Sequence, residues 1–220
     1  VFKHLNISTL VHGISHLIND LLSRGITSIH ALDGLSENKD LSLLLLYHVG
    51  GLFPIQFYLH PQIMNFEFIE TLRKRMKYPR VGGCGFWEMD GSVGSQTAAF
   101  DLPYLTDSSN TGKLYYSQEK IDAEIQRYHD SGYQVISHAI GTRAIERILS
   151  AFEKLDLSAP HNLDYMEKRR QELRTWSEKY GFTNLDKNSH RHRIEHFEFP
   201  IKEQVDRVIN NGILVSAQPG

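Results

Sequence analysis

The chain has 220 residues, 40% of them hydrophobic and 23% charged, the balance of a soluble globular protein with a sizeable core. A net charge of −2 and a pI near 6.7 give no electrostatic reason to bind nucleic acid or an anionic membrane, and no apolar run is long enough to span a bilayer. Cys84 is the one cysteine, which excludes an internal disulfide and points to a reducing, cytoplasmic setting.

The chain opens on Val1-Phe-Lys-His4, shows no signal-peptide pattern, and reads as the middle of a longer sequence. Leu10, Val11, Ile14, Leu17, Ile18, Leu21 and Leu22 recur at helical spacing and predict a helix over residues 5–22. His12 and His16 lie one turn apart on it. Gly13 stands where a zinc-protease motif needs Glu, so the pair reads as a solvated face. Gly25 stops this helix. A strand over Ile26–Leu32 follows, turning at Asp33-Gly34, then a helix over Lys39–Val49 ended by Gly50-Gly51. The next elements are a strand over Phe53–Leu59, a helix over Phe66–Met76 and a strand over Val81–Met89, closed by Asp90-Gly91.

A loop from Ser92 to about Ser117 is rich in Ser, Thr, Gly, Asn and Asp, and its length points to function or disorder. A helix then runs from Ser117 to His129, a strand over Gln134–Ser137, and a helix over Thr142–Leu155. Residues 156–189 interrupt the rhythm and read as an insertion holding a polar helix over Leu163–Tyr180. A strand over Arg193–Phe199, a helix over Ile201–Asn210 and a strand over Ile213–Ser216 complete the chain. Strand and helix alternate through six strands, which predicts an α/β fold with a parallel sheet and helical crossovers.

In such folds function collects at the carboxyl ends of the strands. The residues there are His30 and Asp33, His60, Glu88 and Asp90, His138, His196 and Glu198, and Gln218. The two-residue period of the strand from Arg193 places Ile194, His196 and Glu198 on one face, with Arg193, Glu195 and Phe197 on the other. His138 and His196 end two neighbouring strands, the pattern that a metal ion needs. Arg193 and Glu195 are expected to pair beneath it.

Four segments carry a resemblance. Asp90-Gly-Ser-Val-Gly-Ser-Gln-Thr-Ala-Ala-Phe100 with Pro103-Tyr104, His138-Ala-Ile-Gly141 with Arg143-Ala-Ile145, His192-Arg-Ile-Glu-His196, and Ser216-Ala-Gln-Pro219 resemble, in order, the signatures of the YtcJ-like branch of the amidohydrolase superfamily. The resemblance implies a (β/α)8 TIM barrel, here partial, with about six of eight strands and the first and last missing. It covers most of the chain, starting near Leu17, and makes residues 1–220 one incomplete barrel with an insertion at about 156–189. It also implies hydrolysis of a C–N bond of a small-molecule substrate, with one or two divalent ions, zinc foremost, at the barrel mouth. His138 and His196 become metal ligands. The metal lowers the pKa of bound water toward about 7 and polarises the scissile carbonyl.

Two departures qualify the match. The family places a lysine four residues before Asp90; here that residue is Phe86. Glu88 shares its sheet face and stands as a substitute metal ligand, or else as an interior acid held by hydrogen bonds. The family's His-x-His on the first strand and aspartate on the eighth, the latter handling the proton of water, have no counterpart, so no catalytic acid or base is assigned. The expectation is an internal piece of a longer hydrolase, inactive alone, whose open sheet edges favour a homodimer. Asp90, Ser92, Gln96 and Gln218 are candidates to bind substrate; for Ser92 and Gln96, as for Thr97, capping of the following turn is the favoured alternative. His30 and His60 are weaker candidates to stabilise an oxyanion. Competing readings are a barrel that binds a metabolite or protein without catalysis, and a phosphate site at Gly82-Gly83 or Gly91-Ser-Val-Gly94.

Overall fold

A computed structural model describes residues 7–33, 52–76, 78–157, 163–183 and 185–218. The helix expected over Lys39–Val49 and the Gly50-Gly51 stop lie outside them. Helix α1 spans Ile7–Ser23 and leads to strand β1, Ser28–Asp33. Strand β2, Gln56–Pro61, and helix α2, Phe66–Leu72, come next. Strand β3, Arg80–Glu88, is followed by helix α3, Gln118–Asp130. Strand β4, Gln134–Ala139, helix α4, Thr142–Glu153, and helix α5, Asp164–Tyr180, follow. Strand β5, Arg193–His196, helix α6, Lys202–Asn211, and strand β6, Leu214–Ala217, close the order.

The described strands pair in parallel, as strands linked by helical crossovers require. One sheet pairs β1 with β2; the other runs β3-β4-β5-β6. The sheets meet where Phe86 N–H donates to the Gln62 carbonyl at 3.1 Å and where Leu32 packs over Gly83. Helix starts follow local chemistry. Asn65 Oδ1 accepts from Phe68 N at the head of α2, and Ser117 Oγ accepts from Lys120 N at the head of α3.

The core lies between the four-stranded sheet and its helices. Val81, Val135 and Ile194 from the strands meet Ile121, Ile125 and Tyr128 of α3 and Ile145, Ile148, Leu149 and Phe152 of α4, all fully enclosed. Each large apolar side chain so buried contributes about 1.5–3 kcal/mol. Trp87 crosses this layer and its Nε1–H donates to the Ile63 carbonyl at 3.1 Å, so the indole is both packed and satisfied. Helix α5 is different: of its residues Met166 is buried, while Trp176 and Tyr180 are exposed.

Three expectations need correcting. The helix from Phe66 becomes a 3-10 turn over Arg73–Arg75. The strand from Arg193 stops at His196, because His196 and Phe197 take φ of +71° and +53° and break the extended backbone. Its two-residue period therefore ends there, and Glu198 belongs to the following turn. Strand β3 is not regular either. Gly83 pairs with Ser137 and Glu88 with the adjacent His138, so four residues, 84 to 87, leave the ladder. Gly82, Gly83 and Gly85 hold positive φ and start this excursion.

Candidate metal centre

The excursion in β3 carries Cys84 to the carboxyl ends of β4 and β5. Cys84 Sγ lies 3.9 Å from His196 Nε2, and the rings of His138 and His196 meet edge to face at 4.5 Å between centroids. One donor atom from each of Cys84, His138 and His196 lies within 4.8 Å of the others. The sequence reading brought the two histidines together and missed the cysteine.

The far nitrogen of each ring is held by oxygen. His138 Nε2–H donates to the Gly91 carbonyl at 3.1 Å and sits 3.4 Å from Asp90 Oδ1. His196 Nδ1–H donates to Gln218 Oε1 at 3.1 Å. These partners occupy Nε2 of His138 and Nδ1 of His196, so Nδ1 of His138 and Nε2 of His196 are the atoms left to bind an ion. This is the outer shell by which proteins orient metal-binding imidazoles. The electrostatics agree. Hydrogen bonds from His138 and then His196 draw the Cys84 thiol down to about 7 against the effect of burial. Burial opposes charge on His138, but Asp90, Cys84 and the Gly91 carbonyl outweigh it and push the ring up to about 10. His196 is raised too, first by Cys84. Cys84 and the two rings thus shift one another's affinity for protons, as donors that converge on one point do. The donor set fits such an ion.

The other candidate residues fall elsewhere. Glu88 turns back and its Oε1 accepts from Gly85 N at 3.0 Å; it braces the excursion and does not join the converging donors. Phe86 packs against the core. Asp90 is fully buried and lies beneath the site. Its Oδ1 accepts from Ile140 N at 3.0 Å, and its Oδ2 accepts from Ala99 N and Gly141 N, both at 2.8 Å. Ser92 bonds to Ser95, and Gln96 Nε2 donates to Thr106 Oγ1 at 3.0 Å, so both serve the loop itself. Thr97 Oγ1 accepts from Ser92 N. Gln218 does reach the site, as the partner of His196. Arg193 and Glu195 pair at 2.5 Å.

A second cluster, His129, His190 and His192, is also compact, but its hydrogen bonds oppose a metal. Val135 N–H donates to His192 Nδ1 at 3.0 Å. That nitrogen is therefore bare, and the proton sits on Nε2, which donates to His129 Nδ1 at 3.0 Å. A ring so arranged could ligate through Nε2 only as an imidazolate. His192, stacked on Phe152, is a satisfied core residue. His30 and His60 bond to each other at 2.8 Å; burial, with Arg80 and Arg193 nearby, holds the pKa of fully enclosed His60 well below the usual range. A neutral, enclosed ring is poorly suited to meet an oxyanion.

Known proteins resemble this chain in sequence and in fold. The chain is 31% identical to the putative amidohydrolase YtcJ of Bacillus subtilis (strain 168) over 144 residues, 62% of this chain and 26% of that protein. Its fold is similar to the crystal structures of uncharacterized metal-dependent hydrolases from Pyrococcus furiosus and Pyrococcus horikoshii OT3. The first gives a TM-score of 0.63 at 23% identity, over 99% of this chain and 40% of that one. The second gives 0.62 at 24%, over 99% and 38%. The chain thus spans about a quarter of the length of YtcJ and about two fifths of these two solved structures. Residues 1–219 match the profile of the amidohydrolase family, and the chain belongs to that family.

Proposed function

We propose that this chain carries part of the metal centre of a hydrolase that cleaves a C–N, amide-type bond of a small molecule, within a (β/α)8 barrel of which these six strands form a part. One observation carries the reading: His138 and His196 each spend one ring nitrogen on an oxygen acceptor and turn the other toward a common point shared with Cys84. A divalent metal held there, zinc foremost, supplies Lewis acidity, acidifying a bound water and polarising a carbonyl.

The chain's own residues do the rest. Asp90 ties the Ala99 and Ile140-Gly141 backbones together under His138, fixing the distance between loop and strand end. Gly91 and Gln218 set the two ring orientations. Phe100 and Phe199 meet edge to face at 5.4 Å, joining the loop after β3 to the segment after β5 with an aromatic contact.

Metal analysis of the purified chain tests the reading. Metal-free protein titrated with zinc is expected to retain it stoichiometrically. At a concentration about 100 times Kd, zinc adds about 2.7 kcal/mol of stability. Both effects disappear in the His138→Ala/His196→Ala double variant. Equal zinc retention by that variant, or none by the parent, refutes the proposal and favours a binding scaffold without catalysis.

A further inference from the structure

We infer that Cys84 is the third protein ligand of this centre, binding as a thiolate, so that the site is a sulfur-bearing one selective for zinc and not for magnesium or manganese. The inference rests on the metal reading above and adds to it a ligand from a different strand.

Three observations lead to it. First, β3 leaves its ladder between Gly83 and Glu88, and the excursion is anchored on both sides: Phe86 N–H to the Gln62 carbonyl, Trp87 Nε1–H to the Ile63 carbonyl, and Ser137 Oγ–H to the Trp87 carbonyl at 2.7 Å. A detour held by this many bonds presents a side chain in a fixed direction. Second, the side chain so presented is Cys84, whose sulfur lies among the two imidazole donors. Third, no carboxylate of the described residues joins that group. Glu88 is spent on Gly85 N, and Asp90 on three backbone N–H groups.

The chemistry follows from the donors. Neutral imidazoles bring no charge, so the sulfur provides the anionic ligand. Metal binding releases to solvent whatever protons the sulfur and the facing ring nitrogens carry; nothing is oxidised or reduced. Thiolate and imidazole together suit zinc, whereas magnesium and manganese seek oxygen. The three protein donors leave a coordination position open, as a catalytic zinc requires.

X-ray absorption on the zinc-loaded chain reads the ligand directly. The expected result is one sulfur at about 2.3 Å together with nitrogen at about 2.0–2.1 Å. Cobalt substitution should give a sulfur-to-metal charge-transfer band in the near ultraviolet. Cys84→Ser, close in size, is expected to remove both signals and weaken zinc binding at least about 100-fold, beyond the usual cost of losing an outer-shell partner. Glu88→Gln, which keeps the oxygen facing Gly85 N, is expected to retain both. Because the spectra are taken on the parent chain, misfolding of a variant does not confuse the answer. A zinc shell of nitrogen and oxygen alone overturns the thiolate while leaving the histidine site standing. Failure to bind zinc at all overturns both. Zinc affinity unchanged in Cys84→Ser also rules the ligand out.

Discussion

Asp90→Asn is the sharpest test of how the site is braced. The substitution changes one oxygen to an amino group and leaves shape nearly constant. The native carboxylate accepts three backbone N–H bonds at 2.8–3.0 Å in a fully enclosed position. The amide can keep its oxygen toward Ala99 N and Gly141 N, where two hydrogen bonds to a charged acceptor become two to a neutral one. Its amino group then faces Ile140 N–H and the Nε2–H of His138, donor against donor. With hydrogen bonds to charged groups worth about 1.5–3 kcal/mol and neutral ones about 1, the loss sums to about 4 kcal/mol. Urea unfolding followed by the fluorescence of buried Trp87 measures it. For a slope of about 2 kcal/mol/M, the midpoint falls by about 2 M with the slope unchanged. Zinc affinity should drop about 10–100-fold in the same variant, because the His138 ring loses an orienting acceptor. A stability change under about 1 kcal/mol would show that the three bonds are replaced by water and refute the argument.

Acid should destabilise the chain in a defined window. Burial holds His60 and His192 neutral, their pKa values well below the ordinary 6.5. Unfolding lets each ring take up a proton below that value, so their contribution is complete above pH 6.5 and shrinks as pH falls, by up to about 1.4 kcal/mol per pH unit per ring. A urea midpoint that stays constant between pH 7 and pH 5 contradicts this. Two glycines should respond in opposite directions. Gly82 has φ of +100° and a Cβ there would lie 1.9 Å from the Ile136 carbonyl oxygen, so Gly82→Ala costs more than about 3 kcal/mol, seen as loss of the cooperative thermal transition. Gly13 sits in α1 with open space around it, so Gly13→Ala adds about 0.5–1 kcal/mol, read from the same melt.

Much of the frame was legible in the sequence because its signals are local. Ser117 opens α3 by capping and Gly181 ends α5 at φ of +69°, each where the residue type predicts. His138 and His196 stood out because each stands at the end of a strand, in two consecutive strand-and-helix units. Cys84 did not, because sequence periodicity assumes a regular strand. Had β3 kept its ladder, residues two apart would share a face, and Glu88 would stand beside the Phe86 position. The detour cancels that inference, and its visible trace was the glycine cluster at Gly82, Gly83 and Gly85, which marks an interrupted strand. Asp90 was misleading for another reason: an Asp-Gly pair signals a turn, but only coordinates show that Ala99 and Gly141, distant in sequence, direct their N–H groups at it. The face of Glu198 was lost to two left-handed residues, His196 and Phe197, that no propensity favours.

The departure of β3 from its ladder at Gly83 and its return at Glu88 has a consequence for how such centres diversify. Residues can be gained or lost inside the detour while β4, β5 and β6 keep their order and alignment. On the reading proposed above, a protein of this design can exchange the chemical character of its metal donor by a small insertion that brings another residue of the same strand to the centre. Comparing relatives column by column would record such an exchange as a missing ligand, when the ligand has arrived by another route along the same strand.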